Sequence, residues 1–222
     1  MPEKPITPAL FSPDVQAMVD EFFILQSRYT AAMREVQTKL EILDDDFHAC
    51  HRRNPIHHIE SRIKTIPSMI EKLRRKNHAV SMSSAVENLA DIAGIRVICS
   101  YLEDVYTVAR LLTSQDDVRV LHVRDYIRQP KANGYRSLHL ILEIPVFLQQ
   151  GRINVPVEVQ LRTIAMDFWA SLEHSMRYKA QGDVPEDVTR ELMETSQAVA
   201  ALDRRMQNLH DRIDSIRTNT SE

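Results

Sequence analysis

A chain of 222 residues that is 43% hydrophobic and 27% charged can bury one continuous core, which sets it apart from disordered and fibrous classes. Cys50 and Cys99, its two cysteines, exclude a disulfide framework and a paired-cysteine zinc site, and no run of eighteen apolar residues offers a membrane span. The start, Met-Pro-Glu-Lys-Pro-Ile-Thr-Pro, lacks the apolar centre of a signal peptide, so a reducing, cytoplasmic setting is expected.

The net charge of −3 argues against a general polyanion binder, but it is unevenly spread. Residues 51–78 carry eight Lys or Arg against two Glu, so the rest of the chain holds −9. One basic segment in an acidic protein points to a particular anion.

Ser12-Pro13 is a helix opening, and apolar residues then recur at 15, 18, 22, 25, 29, 32, 36 and 43, which predicts one long amphipathic helix to about Phe47. A basic loop around Pro55 follows, with Ser61-Arg62-Ile63-Lys64 extended at its end. Next come a helix over 67–77 and a short helix opened by a capping box, Ser84-x-x-Glu87. Residues 95–99 read as a buried strand, 103–114 as a helix, and 118–127, 137–147 and 153–162 as three further strands. Helix returns after Thr163 and breaks at Gly182 and Pro185. The last segment spaces Leu192, Thr195, Val199, Leu202, Met206, Leu209, Ile213 and Ile216 by threes and fours, a near-heptad stripe that wants a helical partner in the first helix or in a second subunit. The fold class is α+β, a mixed sheet flanked by helices, with long helices at both ends.

Three groups of residues suggest chemistry. Lys131-Ala-Asn-Gly-Tyr-Arg-Ser-Leu-His139 joins two strands and offers cations and an imidazole to phosphates and Tyr135 to a base. Asp91 and Glu158 sit between apolar neighbours, where a carboxylate needs an answer: Mg²⁺ held with substrate phosphates, an arginine such as Arg96 or Arg162, or a place on the solvent face of its strand. Arg62 and Lys64 alternate along one stretch, whereas Lys72 with Arg75 or Lys76 share a helical face that could grip a row of phosphates. Four glycines, at 94, 134, 151 and 182, exclude a glycine-rich phosphate loop, so any triphosphate is held by side chains. The loose cluster of His48, Cys50, His51, His57 and His58 fits no standard zinc spacing.

In order, Ser61-Arg-Ile-Lys64, Asp91-Ile-Ala-Gly-Ile-Arg96, the segment 131–139, Glu158-Val-Gln-Leu-Arg-Thr163 and Phe168-Trp-Ala-Ser-Leu-Glu-His174 closely resemble the synthetase domain of the RelA/SpoT family. The resemblance spans residues 51–182, between a helical extension at 1–50 and a helical tail at 183–222, and the length resembles a stand-alone small alarmone synthetase without hydrolase or regulatory regions. It implies a sheet of nucleotidyltransferase type and transfer of pyrophosphate from ATP to the ribose 3′-hydroxyl of GTP or GDP. Carried over by motif, Arg62 and Arg96 would sandwich adenine, and Lys64, Lys72 and Arg75 would hold the ATP phosphates. Asp91 and Glu158 would bind Mg²⁺, with Glu158 also accepting the hydroxyl proton. Tyr135 would stack on guanine, Arg124, Lys131 and His139 would meet the acceptor's 5′-phosphates, and Gln160 would orient the acceptor. Asp167 stands where many members carry Asn near the guanine or allosteric site. The tail resembles helices that build tetramers; RNA binding is a competing reading that leaves Asp91 and Glu158 without a role.

Overall fold

The computed structural model describes the backbone of residues 13–50, 53–180 and 185–219, and side chains over 20–50, 53–176 and 185–216. The first helix, α1 (Pro13–Cys50), turns Leu25, Tyr29, Ala32, Val36 and Leu40 inward and leaves Phe23, Ile24 and Ile42 outside. The remaining elements are β1 (Ile56–Ile63), α2 (Ile66–Arg75), α3 (Met82–Asn88), β2 (Ala93–Cys99), α4 (Leu102–Thr113), β3 (Arg119–Asp125), β4 (Leu138–Leu148), β5 (Gly151–Thr163), α5 (Ile164–Ala180) and α6 (Glu186–Asn219). Among the described residues no helix is long and apolar enough to cross a membrane.

The five strands form one mixed sheet in the order β1-β2-β5-β4-β3, parallel between β2 and β5 and antiparallel elsewhere. Alternation along each strand sends Ile95 and Val97, Leu140 and Leu142, and Val157, Val159 and Leu161 to one face. There they meet Val36 and Leu40 of α1 and Val105, Val108 and Leu112 of α4 in one core. The other face carries the polar partners. Register lines them up in two rows: Arg62, Gly94, Glu158 and Ile141, then Glu60, Arg96, Gln160, His139 and Arg124.

Two elements differ from the sequence reading. β1 replaces most of the expected basic loop; of its eight residues only Ile56 is buried, so no apolar alternation announces it, and the backbone ladder to β2 recruits it as a charged edge strand. The short helix begins one turn earlier than its apparent capping box, because Ser81 is the N-cap and its hydroxyl accepts from the Ser84 amide at 3.1 Å.

In α6 a mixed polar and apolar face packs inward, and most of the predicted stripe is left exposed. Leu192, Ser196, Ala200, Asp203 and Gln207 are buried against α5, α4 and the segment before β4, whereas Leu202, Met206, Leu209, Ile213 and Ile216 are 41 to 65% exposed. Specific polar bonds explain that choice: Trp169 Nε1 donates to the Leu192 carbonyl at 3.0 Å, Thr163 Oγ1 to Asp203 at 2.7 Å, and the Glu103 amide to Gln207 at 3.0 Å. His210 stacks on Tyr101 with centroids 4.3 Å apart and lies 3.3 Å from Asp214.

Candidate active site

Glu60, Arg62, Lys64, Asp91, Gly94, Arg96, Glu158 and Gln160 line one cleft on the polar face of the sheet. Asp91 lies two residues before β2, held there as the ladder runs on past β1 through the Lys64 amide and the Ile92 carbonyl at 2.8 Å. Its Oδ2 accepts from both Lys64 Nζ at 2.8 Å and Lys72 Nζ at 2.5 Å. Burial alone would raise the Asp91 carboxyl, but the bonds and charges of the two lysines outweigh it and hold the group below its ordinary value. Asp91 Oδ1 is buried without a hydrogen-bond partner among the described residues, an arrangement that costs free energy unless a ligand answers it.

Glu158 is gripped at both oxygens. His139 Nδ1 lies 3.1 Å from Oε1, and Gln160 Nε2 donates to Oε2 at 2.8 Å. Burial pushes this carboxyl up and the nearby Asp91 charge pushes the same way, yet His139 and Gln160 prevail and its pKa is lowered. These neighbours make Glu158 a weaker base and a more firmly ionised one.

Beyond His139 the segment before β4 closes the site. Lys131 to Gly134 form a turn, with the Gly134 amide donating to the Lys131 carbonyl at 2.8 Å. Gly134 has φ +90, and a Cβ there would lie 2.7 Å from Ser196 Cβ, so both the turn and the close approach of α6 require glycine. The Ser196 hydroxyl donates to the Gly134 carbonyl, and Asn133 Nδ2 donates to Glu173 at 3.0 Å. Tyr135 Oη is 2.8 Å from His139 Nε2, and Lys131 Nζ sits 4.7 Å from the Tyr126 ring and 4.8 Å from that of Tyr135. An aromatic platform, two potential phosphate ligands and the Glu158 carboxylate thus adjoin one another.

The other predicted residues fall around this core to different degrees. Arg96 Nη1 is 3.1 Å from Glu60 and 3.5 Å from Asp167. Arg62 stands opposite Gly94 with its side chain exposed, and Arg124 pairs in register with His139 and is exposed too. Arg75 lies exposed in the last turn of α2 and is not among the residues lining the cleft. Glu60, Gly94 and Arg162 were not singled out as site residues. Arg162 had a legible signal, since it follows Glu158 and Gln160 at the period of two that places all three on one strand face.

Asp91 Oδ1 and the Glu158 carboxylate suit Mg²⁺, a hard cation that takes oxygen ligands. Among the described residues no group of three His, Cys, Asp or Glu side chains could hold a metal, so two carboxylates would need substrate oxygens to complete a shell.

The family model described as "Region found in RelA / SpoT proteins" matches residues 61–183. The chain is 44% identical over 186 residues to the GTP pyrophosphokinase YwaC of Bacillus subtilis, covering 84% of this chain and 89% of that protein. It is 36% identical over 185 residues to the GTP pyrophosphokinase YjbM of the same organism, covering 83% and 86%. The crystal structure of small alarmone synthetase 1 from Bacillus subtilis bound to its product pppGpp superposes with a TM-score of 0.81 at 34% identity, covering 87% of this chain and 98% of the other. Small alarmone synthetase 2 from that organism gives 0.78 at 41% identity, covering 86% and 99%. With the matched region running through the cleft from β1 to the end of α5, and relatives this similar along most of their length, the chain belongs to the RelA/SpoT family.

Proposed function

We propose that the chain is a Mg²⁺-dependent (p)ppGpp synthetase of the cytoplasm, which transfers the pyrophosphoryl group of ATP to the ribose 3′-hydroxyl of GTP or GDP and releases AMP. The observation that carries this reading is one cleft in which two half-buried carboxylates are met by a cation row at Asp91 and, through His139, by an aromatic platform beside Glu158. Membership of a family whose relatives are named GTP pyrophosphokinases supports it.

In this reading Arg62 and Arg96 receive adenine between their guanidinium planes, a contact that planar, delocalised cations make well. Lys64, Lys72 and Arg75 take the triphosphate. Tyr135 stacks on guanine, Lys131, His139 and Arg124 meet the acceptor's 5′-phosphates, Gln160 orients its ribose and Asp167 borders the base. Attack on the β-phosphorus demands alignment and charge neutralisation more than covalent chemistry. Mg²⁺ held between Asp91, Glu158 and the phosphates would supply part of that neutralisation. Glu158 accepts the hydroxyl proton as attack proceeds: its two hydrogen bonds leave lone pairs on both oxygens for an incoming hydroxyl. The exposed apolar face of α6 fits a homo-oligomer, a tetramer by family resemblance.

The test is product identity. ATP, GTP and Mg²⁺ should give AMP and a guanosine nucleotide heavier by one pyrophosphoryl group. Release of pyrophosphate with adenylate joined to an acceptor would instead mark a nucleotidyltransferase, and RNA binding without turnover would mark a non-catalytic module.

A further inference from the structure

Arg162 touches both halves of the cleft. Its side chain is 6% exposed. Nη1 donates to Asp167 Oδ1 at 3.2 Å, and Nη2 donates to Tyr135 Oη at 2.6 Å and to Gln160 Oε1 at 2.7 Å. The guanidinium carbon also lies 5.1 Å from the centroid of the Tyr135 ring. Because Asp167 Oδ1 is in turn 3.5 Å from Arg96 Nη1, a continuous polar path runs Arg96, Asp167, Arg162, Tyr135. One end is the adenine-facing arginine and the other is the guanine platform.

We propose that Arg162 is a positioning residue that couples the two nucleotide sites, so that ATP bound at Arg96 tightens acceptor binding at Tyr135. The sign follows from the charges along the path. Without nucleotide, Arg96 is drawn to two carboxylates, Glu60 at 3.1 Å and Asp167 at 3.5 Å. Stacking on adenine commits the guanidinium plane to the base and loosens its hold on Asp167. The Asp167 charge is then answered by Arg162 alone, which fixes the fork that holds Tyr135 Oη and Gln160. A platform already fixed loses less conformational freedom when guanine arrives. Binding linkage is reciprocal, so the acceptor strengthens ATP binding by the same factor.

The coupling rests on the reading that Arg96 faces ATP and Tyr135 faces the acceptor. It is tested by calorimetric titration of the full chain with GTP in Mg²⁺, with and without saturating α,β-methylene-ATP, whose blocked bond prevents transfer. The wild type should bind GTP about fivefold or more tightly when the analogue is present. Arg162→Lys keeps the charge but cannot span three acceptors, and Tyr135→Phe keeps the ring but loses the hydroxyl. Each should bring the factor to about one, and the double variant should change it no further. A residue that only supported the fold would weaken both nucleotides and leave the ratio intact. A wild-type factor of one, or a factor retained in either variant, overturns the proposal. If Arg162→Lys does not fold, Tyr135→Phe alone decides on the same criterion. Arg96→Ala titrated with the analogue alone checks the underlying assignment: unchanged affinity overturns the site reading, whereas weakened affinity with coupling intact in Tyr135→Phe overturns only the coupling.

Discussion

At the residue scale, the two carboxylates carry the account and their neighbours set their behaviour. Glu158→Gln keeps the size of the side chain but loses its charge and cannot take a proton, so kcat should fall by about 10²–10⁴-fold while the chain still melts in one cooperative transition. Single-turnover kinetics beside calorimetry checks both. Asp91 gives a pH signature. Its pKa is lowered on folding, so its stabilising effect is complete above the unfolded value of about 4 and is lost as pH falls through the folded one. Asp91→Asn should therefore melt below wild type by a constant margin above about pH 5, and the margin should close under about pH 4. A margin unchanged down to strong acid would contradict the lysine pairing. The identities of these residues were legible, because a lone carboxylate between apolar neighbours is a costly choice of side chain. What each oxygen binds was not, because Lys64, Lys72 and His139 reach Asp91 and Glu158 from separate elements.

At the element scale, α6 and the segment before β4 act together. The helix periodicity of the tail was legible, and of the two partners its stripe allowed, the chain's own first helix and a second subunit, most of the stripe is left exposed for the second. Apolar spacing identifies a stripe and cannot tell whether the chain's own core or another surface covers it. Here Ser196, Asp203 and Gln207 hold the inner face through bonds to Gly134, Thr163 and Glu103. Likewise β1 escaped notice because an edge strand with exposed, charged side chains lacks the apolar period, and only its ladder to β2 defines it. If α6 buttresses the acceptor segment, Gly134→Ala should be costly twice, through its φ of +90 and through the clash with Ser196. A loss of about 1–3 kcal/mol in stability is expected. KM for GTP should rise severalfold with KM for ATP little changed, as steady-state kinetics varying each substrate in turn would reveal. Equal rises in both would separate this segment from the acceptor. Tyr135→Ala should show the same asymmetry between the two substrates.

At the scale of the whole molecule, one face of the sheet is core and the other is chemistry, with α6 presenting apolar side chains outward. Leu202, Met206 and Leu209 are 53%, 44% and 41% exposed, and Phe168 and Leu172 of α5 add 57% and 47%. Surfaces of this kind are usually covered by another chain. Leu209→Glu should lower the mass seen in sedimentation while far-ultraviolet circular dichroism stays unchanged; an unaltered mass would move the interface elsewhere. In the proposed reaction one cleft moves a pyrophosphoryl group intact from one nucleotide to another. Its most direct test follows the label in two parallel reactions with GTP and Mg²⁺, one with ATP labelled at the α-phosphorus and one with ATP labelled at the γ-phosphorus. The account requires the α label to leave wholly as AMP and the γ label to appear in a guanosine nucleotide carrying a 3′-pyrophosphate. An α label joined to the acceptor, or a γ label released as free pyrophosphate or phosphate, would contradict it.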